Sequence, residues 1–216
     1  INVSSLILGV HLEGPFLNPL KCGALNKKTF IIPTESQFTK LIKGYEDIIK
    51  VMTIAPELPG ALKIIGSCRE LGIRVNMGHS DATYKQALEG KKSGATGITH
   101  IFNAMRPFHH RDPGIAALAL IDRNLYIEVI ADGFHLHPGT LELIFAIKSL
   151  DRILLISDSV KGAKKGGNPI YDKKGVLSGS GRLILDALRI LKKIGLTEAE
   201  IKKIGFDNPK KYIGLG

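Results

Sequence analysis

Six short apolar runs, separated by helix-length segments and most of them closed by a polar group, constrain this chain more than any other feature. The runs are LILGVHL (6–12), IKVMTI (49–54), IRVNMG (73–78), GITHIF (97–102), LYIEVIA (125–131) and ILLIS (153–157). Continuous apolar strands of this kind suit a parallel sheet buried on both faces. Helical segments are expected near 35–47, 59–70, 82–93, 115–122 and 138–149. Their start signals are Pro59, Asp81 before Ala82, and Pro138 after His137. Alternation at this spacing predicts a β/α barrel or a doubly wound sheet. After residue 158 the pattern loosens into GAKKGGNPIYDKKG, which reads as an exposed loop or hairpin. Helices near 183–194 and 197–204 and a final turn near 208–214 follow. With no internal repeat and no linker, the chain reads as a single domain over residues 1–216.

The polar residues fall where strand runs stop. Glu13 follows VHL, Glu57 follows TIAP, His79 follows VNMG and His100 follows GIT; Asp132 and His135 follow VIA, and Asp158 follows LIS. In a β/α barrel these positions converge on one rim, where the active sites of that fold lie. Glu13, His79 and His100 form a three-ligand set that leaves one metal position open for water. A single histidine beside an apolar run is more often packed or on the surface. Three coincidences at the same end of successive strands weigh the other way. Asp158, between ILLIS and a flexible loop, suits a general base that then becomes a general acid. A helix N-cap or a fourth metal ligand are its alternatives.

The net charge of +10 allows a nucleic-acid partner or a lysine-coated surface around a site for an acidic metabolite. Basic residues are spread along the chain, with only short clusters such as Lys27-Lys28, Lys91-Lys92, Lys202-Lys203 and Lys210-Lys211. No nucleic-acid-binding pattern accompanies them, which favours the solvated surface and argues against a nucleic-acid partner. Cys22 and Cys68 sit in no metal-binding spacing, so reduced thiols in a cytoplasmic compartment are expected. The opening INVSSLILGV is too short to span a bilayer and reads as a buried strand, with no membrane partner. A start on Ile1 suggests that sequence precedes it.

HLEGPFLNPLKCGALN (11–26), MGHSDAT (77–83), THIFNAMRPFHHRDPG (99–114), IADGFHLHP (130–138) and LISDS (155–159) closely resemble N-acetylglucosamine-6-phosphate deacetylases. These are metal-dependent β/α barrels of the amidohydrolase superfamily. The likeness runs in order from about residue 7 to the end. It implies an α/β fold, a (β/α)8 TIM-type barrel that is incomplete in this chain, without its first strand or the family's small β-sandwich.

The resemblance implies that Glu13, His79 and His100 bind the catalytic divalent metal, Zn²⁺ or Fe²⁺, as one or two ions. By the same likeness Asp158 is the proton shuttle, Asn103 and the Ala104 backbone contact the sugar phosphate, and His135 contacts the substrate. Arg111 matches the phosphate-binding arginine, sometimes offered across a dimer interface. Leu177, Ser178 and Gly179 resemble the late loop that closes over the sugar, and Ala24 belongs to the substrate-binding segment 21–25. The implied reaction is hydrolysis of N-acetylglucosamine 6-phosphate to glucosamine 6-phosphate and acetate, in a cytoplasmic homodimer.

Three departures stand out. Leu25 occupies a position where many relatives carry a substrate-contacting histidine. The place where some members carry an HxH pair for a second metal precedes this sequence, and the 160–185 region is short. His109, His110 and His137 read equally as exposed loop residues, Glu57 as structural, and His11 as a neighbour that orients Glu13. A different amidohydrolase or a non-catalytic relative are the rival readings.

Overall fold

In the computed structural model, which describes residues 7–215, all six apolar runs yield parallel strands. They are β1 (Val10–Glu13), β2 (Ile49–Ile54), β3 (Arg74–Met77), β4 (Gly97–Ile98), β5 (Tyr126–Ile130) and β6 (Ile153–Ile156), paired in chain order. Helices α1 (Glu35–Ile42), α2 (Ala61–Glu70), α3 (Tyr84–Ser93), α4 (Gly114–Ile121) and α5 (Pro138–Ile147) connect them. After β6 come α6 (Ala187–Lys193), α7 (Glu198–Lys202) and α8 (Asn208–Tyr212), with a π-helical turn at Lys203–Asp207 between the last two. A doubly wound sheet reverses its strand order at a switch point. Here the order never reverses, which is the winding of a barrel.

Side-chain contacts show the curl directly. His11 on β1 lies 3.5 Å from Glu128 on β5. Four strand spacings in a flat sheet would separate those strands by about 19 Å. Thr53 of β2 bonds Thr99 beyond β4 at 2.7 Å, and Asn76 of β3 donates to Glu128 at 2.8 Å. Each pair skips a strand, so all of these groups face the concave interior of a half-barrel. Gly78 makes the closeness possible, since a Cβ there would come within 2.7 Å of Thr99.

Alternate strand residues face the other way. Met52, Ile54, Val75, Met77, Ile127 and Val129 are buried in one core with Ile64, Ile65, Cys68, Ala87, Ile115 and Ile144 of the helices. Each such aliphatic side chain contributes roughly 1.5–3 kcal/mol by leaving water. Burial pushes the Cys68 thiol up to about 12, which suits a packing role. No helix among the described residues is long and apolar enough to cross a membrane.

Some boundaries differ from the sequence reading. Of the run 6–12, residue 6 lies outside the described residues, and the strand itself starts at Val10. Helix α3 is capped by Thr83 rather than by Asp81. The Thr83 hydroxyl accepts from the Gln86 N–H while the Gln86 side chain accepts from the Thr83 N–H. Asp81 instead pairs with Arg106 and Lys21. Helix α2 starts after Gly60 without a side-chain cap, whereas α5 begins at Pro138 with His137 as its cap, as expected.

Candidate active site

The chemistry-bearing residues follow the strands at a regular offset. His79, His100, Asp132 and Asp158 each stand two residues beyond the last residue of β3, β4, β5 and β6, while Glu13 ends β1. The chain turns sharply at several of these points. Five non-glycine residues have left-handed backbone, namely His79, His100, Phe102, Ala104 and Asp158, and all lie at this end of the sheet. Such conformations cost about 1–3 kcal/mol each and are held only where surrounding structure over-determines them.

Glu13, His79 and His100 meet at one point. Glu13 Oε1 is 2.8 Å from His79 Nε2 and 2.9 Å from His100 Nε2, and the two nitrogens are 3.1 Å apart. The other nitrogen of His79, Nδ1, lies 2.8 Å from the Lys21 carbonyl. A carbonyl only accepts, so Nδ1 carries the hydrogen. In the neutral ring Nε2 is then a lone pair, aimed at a carboxylate and a second imidazole. Three electron-rich atoms converging this closely favour positive charge between them, and this His₂Glu set has the donor types to hold a cation there.

The electrostatics agree. Burial alone would raise the Glu13 carboxyl, but hydrogen bonds and charge from His100 and His79 hold it well below the usual carboxylate range. Burial opposes the His100 charge, and the Glu13 carboxylate overrides it and raises His100. The His100 Nδ1 is buried without a hydrogen-bond partner among the described residues.

A second constellation stands beside the first. The Asp132 Oδ1 accepts from the Phe134 and His135 backbone N–H groups, and its Oδ2 accepts from His135 Nδ1 at 2.8 Å. Nε2 of His135 then faces Asp158 Oδ2 at 3.5 Å. Burial alone would lower His135, but its bonds to Asp132 and Asp158 outweigh that and raise it to about 9. The carboxyl of Asp158 is held by strand-like pairing of its loop, where the Ser180 N–H donates to the Asp158 carbonyl at 2.7 Å. Gly179, at φ +99°, permits this approach, because a Cβ there would sit 2.9 Å from that carbonyl.

One cavity of about 370 Å³ gathers Glu13, His79, His100, Asn103, Ala104, His135, Asp158, Ala24, Leu177, Ser178 and Gly179. Leu25, Gly23, Val160 and Val176 complete its wall. Arg111 does not line it. It lies exposed on the loop after Pro107, with its guanidinium 3.0 Å from His110 Nε2. The arginine bound by carboxylates in that segment is Arg106, which pairs with Asp81 and Asp112. Asn103 donates to the His100 and Ile101 carbonyls at 3.3 and 3.2 Å, tying the turn that carries His100.

His11 reaches Thr53 at 2.9 Å and faces Glu128 rather than orienting Glu13, because its side chain points into the barrel interior. Glu57 is structural. It accepts from Asn18, Ser80 and the Asp81 N–H, and so clamps the loop behind His79. Two contributors went unassigned in the sequence reading. The Lys21 carbonyl is a backbone group with no sequence signal, whereas the Asp132–His135 spacing of three residues was visible.

No protein-family model matches the chain. It is 34% identical to the N-acetylglucosamine-6-phosphate deacetylase of Bacillus subtilis, over 97% of this chain and 57% of that protein. It is 31% identical to the N-acetylgalactosamine-6-phosphate deacetylase of Escherichia coli, over 97% of this chain and 59% of that one. Among solved structures it resembles a mutant of the Mycobacterium smegmatis N-acetyl-D-glucosamine-6-phosphate deacetylase in complex with N-acetyl-D-glucosamine-6-phosphate. That likeness has a TM-score of 0.89 at 30% identity and covers 99% of this chain and 61% of that one. The chain thus spans about three fifths of the length of the relatives it matches. With likeness of sequence and of fold running through nearly its whole length, the chain belongs to the N-acetylglucosamine-6-phosphate deacetylase family.

Proposed function

We propose that this chain carries the active site of an enzyme that hydrolyses N-acetyl-D-glucosamine 6-phosphate to D-glucosamine 6-phosphate and acetate. The observation that supports it is the meeting of the Glu13–His79–His100 set with His135 and Asp158 in one cavity. The half-barrel is read as the larger part of a (β/α)8 barrel forming one domain over 1–216. The enzyme is read as a cytoplasmic homodimer whose Arg111 is presented to a substrate phosphate.

Glu13, His79 and His100 would hold a divalent cation, Zn²⁺ or Fe²⁺, which would supply Lewis-acid polarisation of the amide carbonyl and of the attacking water. Asp158 accepts the proton of that water and passes it to the leaving nitrogen, so that acetate and the free amine part without a covalent enzyme intermediate. His135, cationic at neutral pH, holds Asp158 in place and offers positive charge where the carbonyl oxygen gains negative charge. Asn103 and the Ala104 backbone position the sugar phosphate, Ala24 and the Leu177–Gly179 segment enclose the sugar, and a guanidinium such as Arg111 clamps phosphate in bidentate fashion.

One observation favours a second substrate. Leu25 puts an aliphatic wall in the cavity, and the Escherichia coli relative is named for the galactosamine epimer. An acetate-release assay on both 6-phosphate sugars, unphosphorylated N-acetylglucosamine and an acyl dipeptide tests the reading. Turnover of the phosphosugars alone is expected, and faster cleavage of the dipeptide would overturn it.

A further inference from the structure

At the end of the sheet opposite the candidate active site lies a second cavity, of about 530 Å³, that the deacetylase reading leaves unused. It forms where the strands begin. Arg74 opens β3, Tyr126 opens β5, Arg69 sits in the last turn of α2, and α8 contributes Lys211 and Tyr212.

Its charge is one-sided. Lys91 is paired with Asp122, but among the described residues Arg69, Arg74 and Lys211 have no carboxylate within ion-pair distance. Arg74 is held in place, since its Nε donates to the Tyr212 carbonyl at 3.0 Å and its guanidinium lies 5.9 Å from the Tyr212 ring centre. Its two terminal nitrogens make no hydrogen bond among the described residues. The floor is apolar and aromatic, with the Tyr126 and Tyr212 rings tilted against each other at 4.8 Å and buried Leu125 also lining it. Burial keeps the Tyr212 hydroxyl neutral by raising it, so the floor adds no negative charge.

A cationic rim above an aromatic floor matches a ligand with a phosphoryl group at one end and an organic body at the other. We propose that this cavity binds a small phosphate ester, with Arg69, Arg74 and Lys211 on the phosphoryl group and the ester's body against Tyr126. A phosphorylated sugar and a nucleoside monophosphate share this chemistry. The proposal stands independently of the deacetylase reading.

Calorimetric titration of the chain with inorganic phosphate, glucosamine 6-phosphate and adenosine monophosphate tests it. The variants are Arg69→Ser/Lys211→Ser, whose exposed side chains spare the Arg74–Tyr212 bond, and Lys40→Ser, an exposed cation of α1 that lines neither cavity. One ester is expected to bind more tightly than inorganic phosphate, and which one identifies the source. The double variant should weaken it about tenfold or more, as expected for loss of charge-assisted contacts, while Lys40→Ser leaves that affinity unchanged. Unaltered ester affinity in the double variant, an equal loss of ester affinity in Lys40→Ser, or inorganic phosphate binding as tightly as either ester would overturn the proposal.

Discussion

Nε2 of His135 lies 3.5 Å from Oδ2 of Asp158, and the opposite edge of the same ring, Nδ1, lies 2.8 Å from Asp132. One imidazole therefore connects a buried carboxylate to one that opens on the cavity. Asp158 remains about a third exposed, whereas His135 is 95% covered, so an open carboxylate is backed by a covered imidazole.

Asp158→Asn removes the proton acceptor but keeps the shape. Acetate release should fall by at least about 10²-fold, the usual contribution of a positioned general base. Bound metal, measured on the same sample, should be unchanged, because Asp158 lies outside the Glu13–His79–His100 set. Turnover near that of the parent chain would remove Asp158 from its role.

Asp132→Asn tests the support. Burial favours neutral His135, and the Asp132 carboxylate, with Asp158 on the other edge of the ring, overrides it to give about 9. A raised histidine stays charged through neutral pH and loses its proton as pH rises through that value, so kcat/KM should decline on that alkaline limb. Without the Asp132 charge the decline should begin nearer the ordinary histidine value of about 6.5. A pH–rate profile identical in both proteins would separate His135 from the reaction.

Much of this site was legible because a charged or imidazole group at the end of an apolar run is costly unless it is used, as at Glu13, His79, His100 and Asp158. The barrel interior was not legible. Thr53, Asn76, Thr99 and Glu128 sit inside apolar runs, and their partners lie two or more strands away, so only the curl of the sheet joins them. The start of α3 was misplaced because Asp81 and Thr83 can both cap a helix, and Gln86 three residues beyond Thr83 decides between them. Arg111 matches by motif, yet it lies on an exposed loop, and Arg106 is the arginine that pairs with the local carboxylates.

Metal removal should be visible without any assay of turnover. A cation held by Glu13, His79 and His100, at or just beyond the ends of β1, β3 and β4, would bind the folded chain in preference to the unfolded one and so would stabilise it by mass action. Chelation should lower the thermal midpoint, and added Zn²⁺ or Fe²⁺ should restore it. Glu13→Gln should lose both the bound ion and the response to chelator. A thermal midpoint indifferent to chelation, in protein without bound divalent ion, would sink the metal assignment.

The last test concerns the scaffold. Lys148 is 4% exposed, and its Nζ donates to the Ala119 and Asp122 carbonyls at 2.7 and 2.6 Å, at the C-terminal end of α4. That helix has no basic residue of its own in its last turn, so Lys148 supplies the charge that its terminal dipole favours. Lys148→Met keeps most of the packing but leaves two carbonyls unpaired, a loss of about 1–3 kcal/mol in denaturant unfolding at neutral pH. Burial lowers Lys148 to about 8. Between that value and the usual 10.4 or so, the unfolded chain binds the proton more than the folded one, so this group's contribution to stability grows as pH rises. The gap between parent and Lys148→Met should therefore widen from pH 7 to about pH 9.5. A gap that closes over that range would mean that Lys148 is stabilised as a cation in the folded chain.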